Sequence, residues 1–250
     1  MRKLFPIALT LFIASPSIGQ SIDLPTVFGA RAAVEQMSLS PDGNRIAFVA
    51  SDKGQASRLQ VIDLSAPDSS KTLLLASGAP ERIRGCGWVS SQRLACLIYG
   101  TMLYDAETRD FSRIIAVNAD GSNVKLLSNR QSDRALYAAF NGGGILDYLP
   151  GKEDHVLMAR PYVPESKIGS LIAKTGEGLG VDEIDSGTLA AKRVIKPVRD
   201  AIEFISDGRG EVRIMGLADL RGGYLSGVVK YRYRLKGATE WQYQIGRAHV

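Results

Sequence analysis

Serine-based acyl transfer needs a nucleophile, a histidine base and an orienting acid. Histidine is scarce here: the 250 residues contain only His155 and His249. A nucleophile elbow reads G-x-S-x-G on a strand-to-helix turn. The nearest stretch, Gly223-Tyr224-Leu225-Ser226-Gly227, has its serine one position late and reads as a loop entering a strand. His155 follows Gly151-Lys152-Glu153-Asp154 and precedes Val156-Leu157-Met158, the setting of a solvated histidine at a hairpin tip. The expectation is that the chain carries no catalytic residue.

Other chemistries are as thinly supplied. Zinc needs clustered His and Cys ligands, and there are too few. Asp182, Glu183 and Asp185 lie close in sequence, but neighbours on a strand point to opposite faces and calcium asks for denser oxygen ligands. They read as solvated acids. Gly176-Glu177-Gly178-Leu179-Gly180 and Gly142-Gly143-Gly144 lack the lysine and the strand-to-helix context of a phosphate site and read as inter-strand loops. Lys230-Tyr231-Arg232-Tyr233-Arg234-Leu235-Lys236 interleaves cations with aromatics, which can mark a nucleic-acid surface. Period two also puts Tyr231, Tyr233 and Leu235 on a buried face with the cations in water, and that reading is preferred. No metal, no cofactor and no nucleic-acid partner are expected.

Cys86 and Cys96 flank a predicted hairpin, Arg82 to Val89 and Arg93 to Tyr99. With a turn at Ser90-Ser91-Gln92, position 89 faces 93 and 86 faces 96, so both thiols emerge on one face. An oxidising compartment permits a disulfide there. Two buried free thiols are the alternative, because cross-strand geometry does not always suit a bridge.

The ends read as separate from the fold. Arg2 and Lys3, the apolar run Leu4 to Ala14 and the small-x-small site Ser17-Ile18-Gly19 predict a signal peptide over 1–19, with a mature start at Gln20. The run is shorter than the roughly 20 apolar residues of a spanning helix; an uncleaved anchor is the alternative. Export places the protein in the periplasm or outside the cell. One reverse translation of the final Ile245-Gly246-Arg247-Ala248-His249-Val250 is a widely used sequencing-adapter sequence, so 245–250 is read as foreign and His249 as without function. Setting aside Arg2, Lys3 and Arg247 takes the formal charge from +5 to +2. So weak an excess argues for neither nucleic acid nor an anionic membrane.

Between the ends, a lead segment over 20–36 precedes four units of similar grammar over 37–244. Within the lead, Phe28 to Gln36 reads as a short helix or an entry strand. The first unit opens with Leu39-Ser40-Pro41-Asp42-Gly43-Asn44-Arg45-Ile46-Ala47-Phe48, a strand end, a tight turn and a second strand whose Ile46 and Phe48 form the apolar face. Strands are predicted at Met37–Leu39, Arg45–Ala50, Arg58–Asp63 and Thr72–Ala76; then Ile83–Trp88, Arg93–Ile98, Arg113–Asn118 and Val124–Leu127. The third unit offers Ile145–Tyr148, Val156–Arg160, Gly180–Asp185 and Ala190–Val194; the fourth, Glu203–Ser206, Val212–Leu217, Lys230–Leu235 and Glu240–Tyr243. First strands recur at spacings of roughly 46, 62 and 58 residues. Four strands per repeat is the grammar of a propeller blade, so the fold class is all-β: a partial β-propeller of about four four-stranded blades. An irregular sandwich or barrel is the competing architecture.

The Ser40-Pro41-Asp42-Gly43 turn with Arg45-Ile46-Ala47-Phe48 resembles blades of TolB-like proteins and of the N-terminal propeller in the prolyl oligopeptidase family of serine peptidases. Further stretches resemble the latter's dipeptidyl and acylaminoacyl peptidases: Phe28-Gly29-Ala30-Arg31, Arg84-Gly85-Cys86-Gly87-Trp88 with Arg93-Leu94, Ile115 to Gly121, and Val156 to Arg160. The likeness spans most of 25–244. It implies a propeller that restricts peptide access to a C-terminal α/β-hydrolase domain, which carries the serine, acid and histidine. No such domain is encoded within these residues, so no catalytic residue carries over, and the paired glutamates by which some relatives hold a substrate amine have no convincing counterpart. The expected role is a non-catalytic propeller fragment whose parent cleaves peptides. A TolB-like scaffold for protein binding in the cell envelope is the alternative.

Overall fold

Runs such as Leu94–Ile98 and Ile114–Val117 lack polar alternation because their successive residues enter two different cores. The computed structural model describes residues 29, 31–243 and 248–249. The signal peptide predicted at 1–19 lies outside them, as does most of the tail at 245–250. Every sheet of the described residues lies within one compact unit that begins at Ala32.

Four antiparallel sheets follow one another along the chain, each with its strands side by side in chain order. Blade one holds β1 (Val34–Leu39), β2 (Arg45–Ser51), β3 (Ser57–Asp63) and β4 (Lys71–Ala76). Blade two holds β5 (Arg82–Ser90), β6 (Arg93–Tyr104), β7 (Glu107–Asn118) and β8 (Lys125–Leu126). Blade three holds β9 (Gly144–Asp147), β10 (His155–Tyr162), β11 (Gly178–Asp185) and β12 (Ala191–Val198). Blade four holds β13 (Ala201–Ser206), β14 (Val212–Arg221), β15 (Tyr224–Tyr233) and β16 (Gln242–Tyr243), and β17 (Ala248–His249) pairs with β15. There is no helix among the described residues. The chain is a partial β-propeller.

Because each blade has an even number of strands, the chain enters and leaves every blade at the same end. That connection end also carries the β2–β3, β6–β7, β10–β11 and β14–β15 loops. The opposite, turn end carries the tight turns of the Ser40–Asn44 kind. There Gly43 adopts φ 74°, and Asp42 accepts from the Ser40 hydroxyl at 2.5 Å and from the Asn44 N–H at 3.2 Å. Asp63 and Asp120 repeat the device with Ser65 and Ser122. In all three, a serine hydroxyl first and a backbone N–H second hold the carboxyl below its ordinary range.

Three apolar cores join consecutive blades. Ala47, Val49, Leu59 and Val61 of blade one meet Ile83, Cys86, Trp88, Leu94, Cys96 and Val117 of blade two. From the other face of blade two, Ala95, Ile114 and Ala116 meet Val156, Met158 and Ile184 of blade three. Leu157, Ala159 and Val181 then meet Phe204, Val212 and Met215 of blade four. This corrects the face expected of β2: Ala47 and Val49 are fully buried, while Ile46 and Phe48 are half-buried on the far side. Blade two covers the former and leaves the larger side chains outward.

The Cys86 hairpin also turns differently. Ser90 pairs with Arg93 across a two-residue turn at 91–92, and a bulge at Val89 restores the register, so that Trp88 faces Leu94 and Cys86 faces Cys96. The two sulfurs are bonded, 2.08 Å apart. β6 and β7 run past the predicted ends into a hairpin that projects beyond the first strand of its sheet, turning at Asp105 and Ala106 with φ of 51° and 61°.

Arg93 keys blade two to blade three. It is 2% exposed, and its guanidinium donates to Ser186 Oγ at 2.9 Å and Ser186 O at 2.6 Å in blade three. Its remaining donors reach Asn118 Oδ1 at 2.5 Å and Asn123 O at 3.1 Å. Burial pushes its pKa down, and Asp154 and Asp185 oppose that. Nearby, Ser90 Oγ donates to Asp154 at 2.7 Å. Arg93→Met removes all four hydrogen bonds and leaves the carbonyl of the buried Ser186 unpaired. It is expected to cost about 3 kcal/mol or more, read as a lower urea midpoint; a loss within about 0.5 kcal/mol would place it with ordinary surface changes.

Candidate functional site

The connection between β8 and β9 and the loop between β10 and β11 enclose a polar cavity of about 470 Å³ at the connection end. Local chemistry holds its walls. Gly142 and Gly143 cross so close to neighbouring backbone that a Cβ on Gly143 would collide with the Ala159 carbonyl oxygen, and Gly143 has φ 88°. Ser128 Oγ accepts from Ile114 N at 2.8 Å and donates to Gly142 O at 2.7 Å. Gly142 and Gly143 thus form a close-packed crossing, while Gly144 has open space beside it and begins β9. Gly178, read as part of a loop, belongs to β11 together with Gly180, where that strand is predicted to begin, and Gly180 lets Tyr162 and Pro197 approach.

Glu165 ties the two walls together. It is 9% exposed and accepts from Ser132 Oγ at 2.7 Å, Arg134 Nη2 at 3.0 Å and Lys174 N at 3.1 Å. The Ser132 hydroxyl first, then the Lys174 N–H, hold its carboxyl below the ordinary range despite burial. Sequence reasoning passed over Glu165, because its side-chain partners lie about thirty residues upstream and no local pattern marks them.

The floor is built around Asp182. The expectation of a solvated acid is wrong here: Asp182 is 2% exposed. It accepts from Arg160 Nη1 at 3.1 Å, from Arg193 Nε at 2.6 Å and from the Tyr162 hydroxyl. Arg193 stacks on the Tyr162 ring at 4.2 Å, a cation–π contact. Burial first, then Asp182, raises the Tyr162 pKa. For Arg193 burial acts downward, but the Asp182 hydrogen bond and charge outweigh it and the pKa rises. Glu183 faces the other way and pairs with Lys152, while Asp185 caps its own turn through Gly187 N at 2.9 Å and Thr188 N at 3.1 Å. The period-two argument thus separated 182 from 183 correctly and missed only that the 182 side is covered.

Cations outnumber carboxylates around the cavity. Arg113, Arg130, Arg160, Lys174 and Arg193 line it with Asp182 and Glu165. Among the described residues Arg113 is held by carbonyls, those of Ser112 at 2.6 Å, Phe140 at 2.7 Å and Ala139 at 3.5 Å. Arg160 Nε is buried without a hydrogen-bond partner among the described residues.

The other candidates stay apart. His155 begins β10 at the turn end, with Nδ1 2.8 Å from Glu153 O. Ser226 lies near the start of β15 at the opposite end and donates to Asp219 at 3.1 Å, so the two cannot form a catalytic pair. No cluster of metal ligands occurs among the described residues. The basic–aromatic stretch also departs from expectation. Arg232 and Arg234 stack on Tyr243 at 4.5 Å and Trp241 at 4.9 Å. Leu235 lies past the strand end and is exposed.

No protein-family model matches the sequence, and no curated protein matches it. Among solved structures, the chain is similar to an acylaminoacyl peptidase from Pyrococcus horikoshii, at 15% identity and a TM-score of 0.46, over 84% of this chain and 32% of that one. It is similar to the β-propeller domain of the Trilobed protease from Pyrococcus furiosus, at 17% identity and a TM-score of 0.38, over 87% and 71%. It is also similar to an apocarotenoid oxygenase from Synechocystis, at 11% identity and a TM-score of 0.42, over 86% and 51%. The chain therefore spans about a third of the length of the Pyrococcus horikoshii peptidase.

Asp182→Ala strands two guanidinium groups and a phenol. It should cost about 2–3 kcal/mol in urea unfolding, below the 3–5 of a fully buried pair, because Arg193 is 42% exposed. An unchanged midpoint would show that the cluster contributes nothing to stability. A second expectation concerns Asp219, whose pKa falls from 3.8 to about 2 through Lys230 first and then Ser226. A carboxyl depressed by folding stabilises above its unfolded pKa and loses that contribution as pH falls through the folded one. The difference in melting temperature between the parent and Asp219→Asn should accordingly close between pH 3.8 and about 2; a difference constant over that window would contradict the assignment.

Proposed function

We propose that this chain is the propeller portion of an exported serine peptidase of the prolyl oligopeptidase family. In this reading it does no chemistry itself. It covers a hydrolase domain and admits short or flexible peptides, which the parent protein cleaves through an acyl-enzyme. Its partners are peptide substrates and that α/β-hydrolase domain, in the periplasm or outside the cell.

The observation that carries the reading is the asymmetry of the two ends. Among the described residues, four large apolar side chains are more than 70% exposed: Leu103 at 74%, Ile172 at 92%, Tyr224 at 81% and Leu225 at 74%. All four sit on the loops and hairpin tips of the connection end. Scattered exposed apolar residues are ordinary, but a grouped set marks a surface built to be covered. Since blades are entered and left at this end, a domain continuous with the propeller would be placed there. The blade grammar and the stretches that resemble peptidase propellers supply the family.

The test has two arms. The 250-residue chain, incubated with short chromogenic peptides, is expected to show no turnover, and hydrolysis that follows the protein through purification would overturn the reading. The gene downstream of the Gln244 codon is expected to encode a G-x-S-x-G serine followed by an aspartate and a histidine. Further blades closed by a stop codon would replace this proposal with the binding scaffold.

A further inference from the structure

We infer that the cavity between the β8–β9 connection and the β10–β11 loop binds an oxyanion, the carboxylate or phosphate group of a small ligand, through Arg113, Arg130 and Arg160. The inference rests on this cavity alone and holds whether or not the chain belongs to a peptidase.

Charge balance comes first. Asp182 and Glu165 are the carboxylates of the lining, and both are already committed. Asp182 serves Arg160 and Arg193, and Glu165 serves Arg134 and Lys174. Arg113 donates to carbonyls, which accept its hydrogen bonds without cancelling its charge. Arg130 lines the same cavity and has neither an ion pair nor a hydrogen bond among the described residues. The concave lining therefore carries a net positive charge, and a cleft concentrates such a field.

Donor balance is the second, independent observation. Arg160 lines the cavity with a side chain only 14% exposed, and among the described residues only Asp182 accepts from it, through Nη1. The rest of its guanidinium keeps donor capacity, for which an anionic oxygen is a stronger acceptor than a neutral one. Guanidinium forks match the planar, two-oxygen geometry of carboxylate and phosphate, which is the class of group the inference names. The walls are fixed in place by Glu165 and Ser128, so the site is formed before a ligand arrives.

The test is titration calorimetry on the whole chain with two probes. One is inorganic phosphate; the other is an acetylated dipeptide with a free C-terminal carboxylate, run against its amide. Saturable binding of either probe is expected, absent for the amide and weaker at higher salt because exposed charge contributes. Arg130→Ala removes no hydrogen bond or ion pair among the described residues and should weaken binding by about tenfold, the usual worth of one charge-assisted hydrogen bond. Arg160→Gln should weaken it at least as much, with circular dichroism confirming that both variants keep their strands. Phosphate alone would assign a phosphorylated ligand, and the free carboxylate alone a carboxylate ligand. No saturation by either probe, equal binding of the amide, or binding unchanged in both variants would overturn the inference.

Discussion

The buried guanidinium of Arg93 sets the constraint on which the rest of the arc depends. Stacked sheets attract one another through apolar faces, and such attraction has no direction: it rewards contact without fixing where one blade sits on the next. Arg93 supplies direction. It reaches from β6 to the turn after β11, where its two bonds to Ser186 form in one relative placement, while Asn118 and Asn123 of its own blade hold the guanidinium in position. The other interfaces use milder versions. Trp88 Nε1 donates to Ser38 O at 3.1 Å between blades one and two, and Gly210 N donates to Asp147 at 2.8 Å between three and four. The middle interface has the charged key, and it is also the one beside the cavity. A displaced blade three would carry Asp182, Arg160 and Tyr162 away from the wall that Arg113 and Arg130 occupy.

Much of this was legible in the sequence, and the parts that were not share one cause. Turn chemistry is local, so Ser40 to Gly43 could be placed by residue type alone, and the strands flanking it fell within a few residues of their positions. Strand existence survived because apolar runs of four to eight residues bounded by turn residues have few other readings. Burial did not survive as well. Ile46 and Phe48 outrank Ala47 and Val49 in hydrophobicity, yet the smaller pair is the buried one, because which face a sheet turns to its neighbour is decided by the stacking of blades. Asp182 went wrong for the same reason: acidity on a strand suggests water, and only the arrival of Arg160 and Arg193 from the strands on either side makes the buried carboxylate affordable. Glu165 left no local trace at all.

The candidate site shows what a propeller does with its irregular segments. Strands of adjacent blades leave little room for a cavity between them, since the cores close on Val156, Met158 and Ile184. At this interface, space appears where the long β8–β9 connection swings out and must be pinned back. Pinning a loop in a partly buried place demands that its polar backbone be satisfied, and the residues recruited for this are charged: Arg113 for the carbonyls of Ser112 and Phe140, Glu165 for the N–H of Lys174. The charge of the cavity is therefore a by-product of holding the loop, and the imbalance between its cations and carboxylates is what gives the space a chemical preference.

The two ends of the arc solve opposite problems. At the turn end, side-chain carboxylates such as Asp42, Asp63 and Asp120 satisfy the backbone of each turn, so the end closes on itself and presents polar groups to water. At the connection end the hairpins overrun their sheets, and residues such as Leu103 and Tyr224 lie beyond the last strand that could cover them. Extending a hairpin past its neighbours forfeits ladder hydrogen bonds on its outer edges and exposes apolar surface, a combination that is unfavourable in isolation. Blade one repeats the contrast on a smaller scale. Met37 and Leu39 pair with Phe48 and Ile46 on its outward face, and both are more than half exposed, whereas the inward face is sealed. The inward faces are accounted for by the contacts within this arc. The outward face and the overrunning hairpins carry the same kinds of side chain without that cover, which locates where this fold is built to be met by something else.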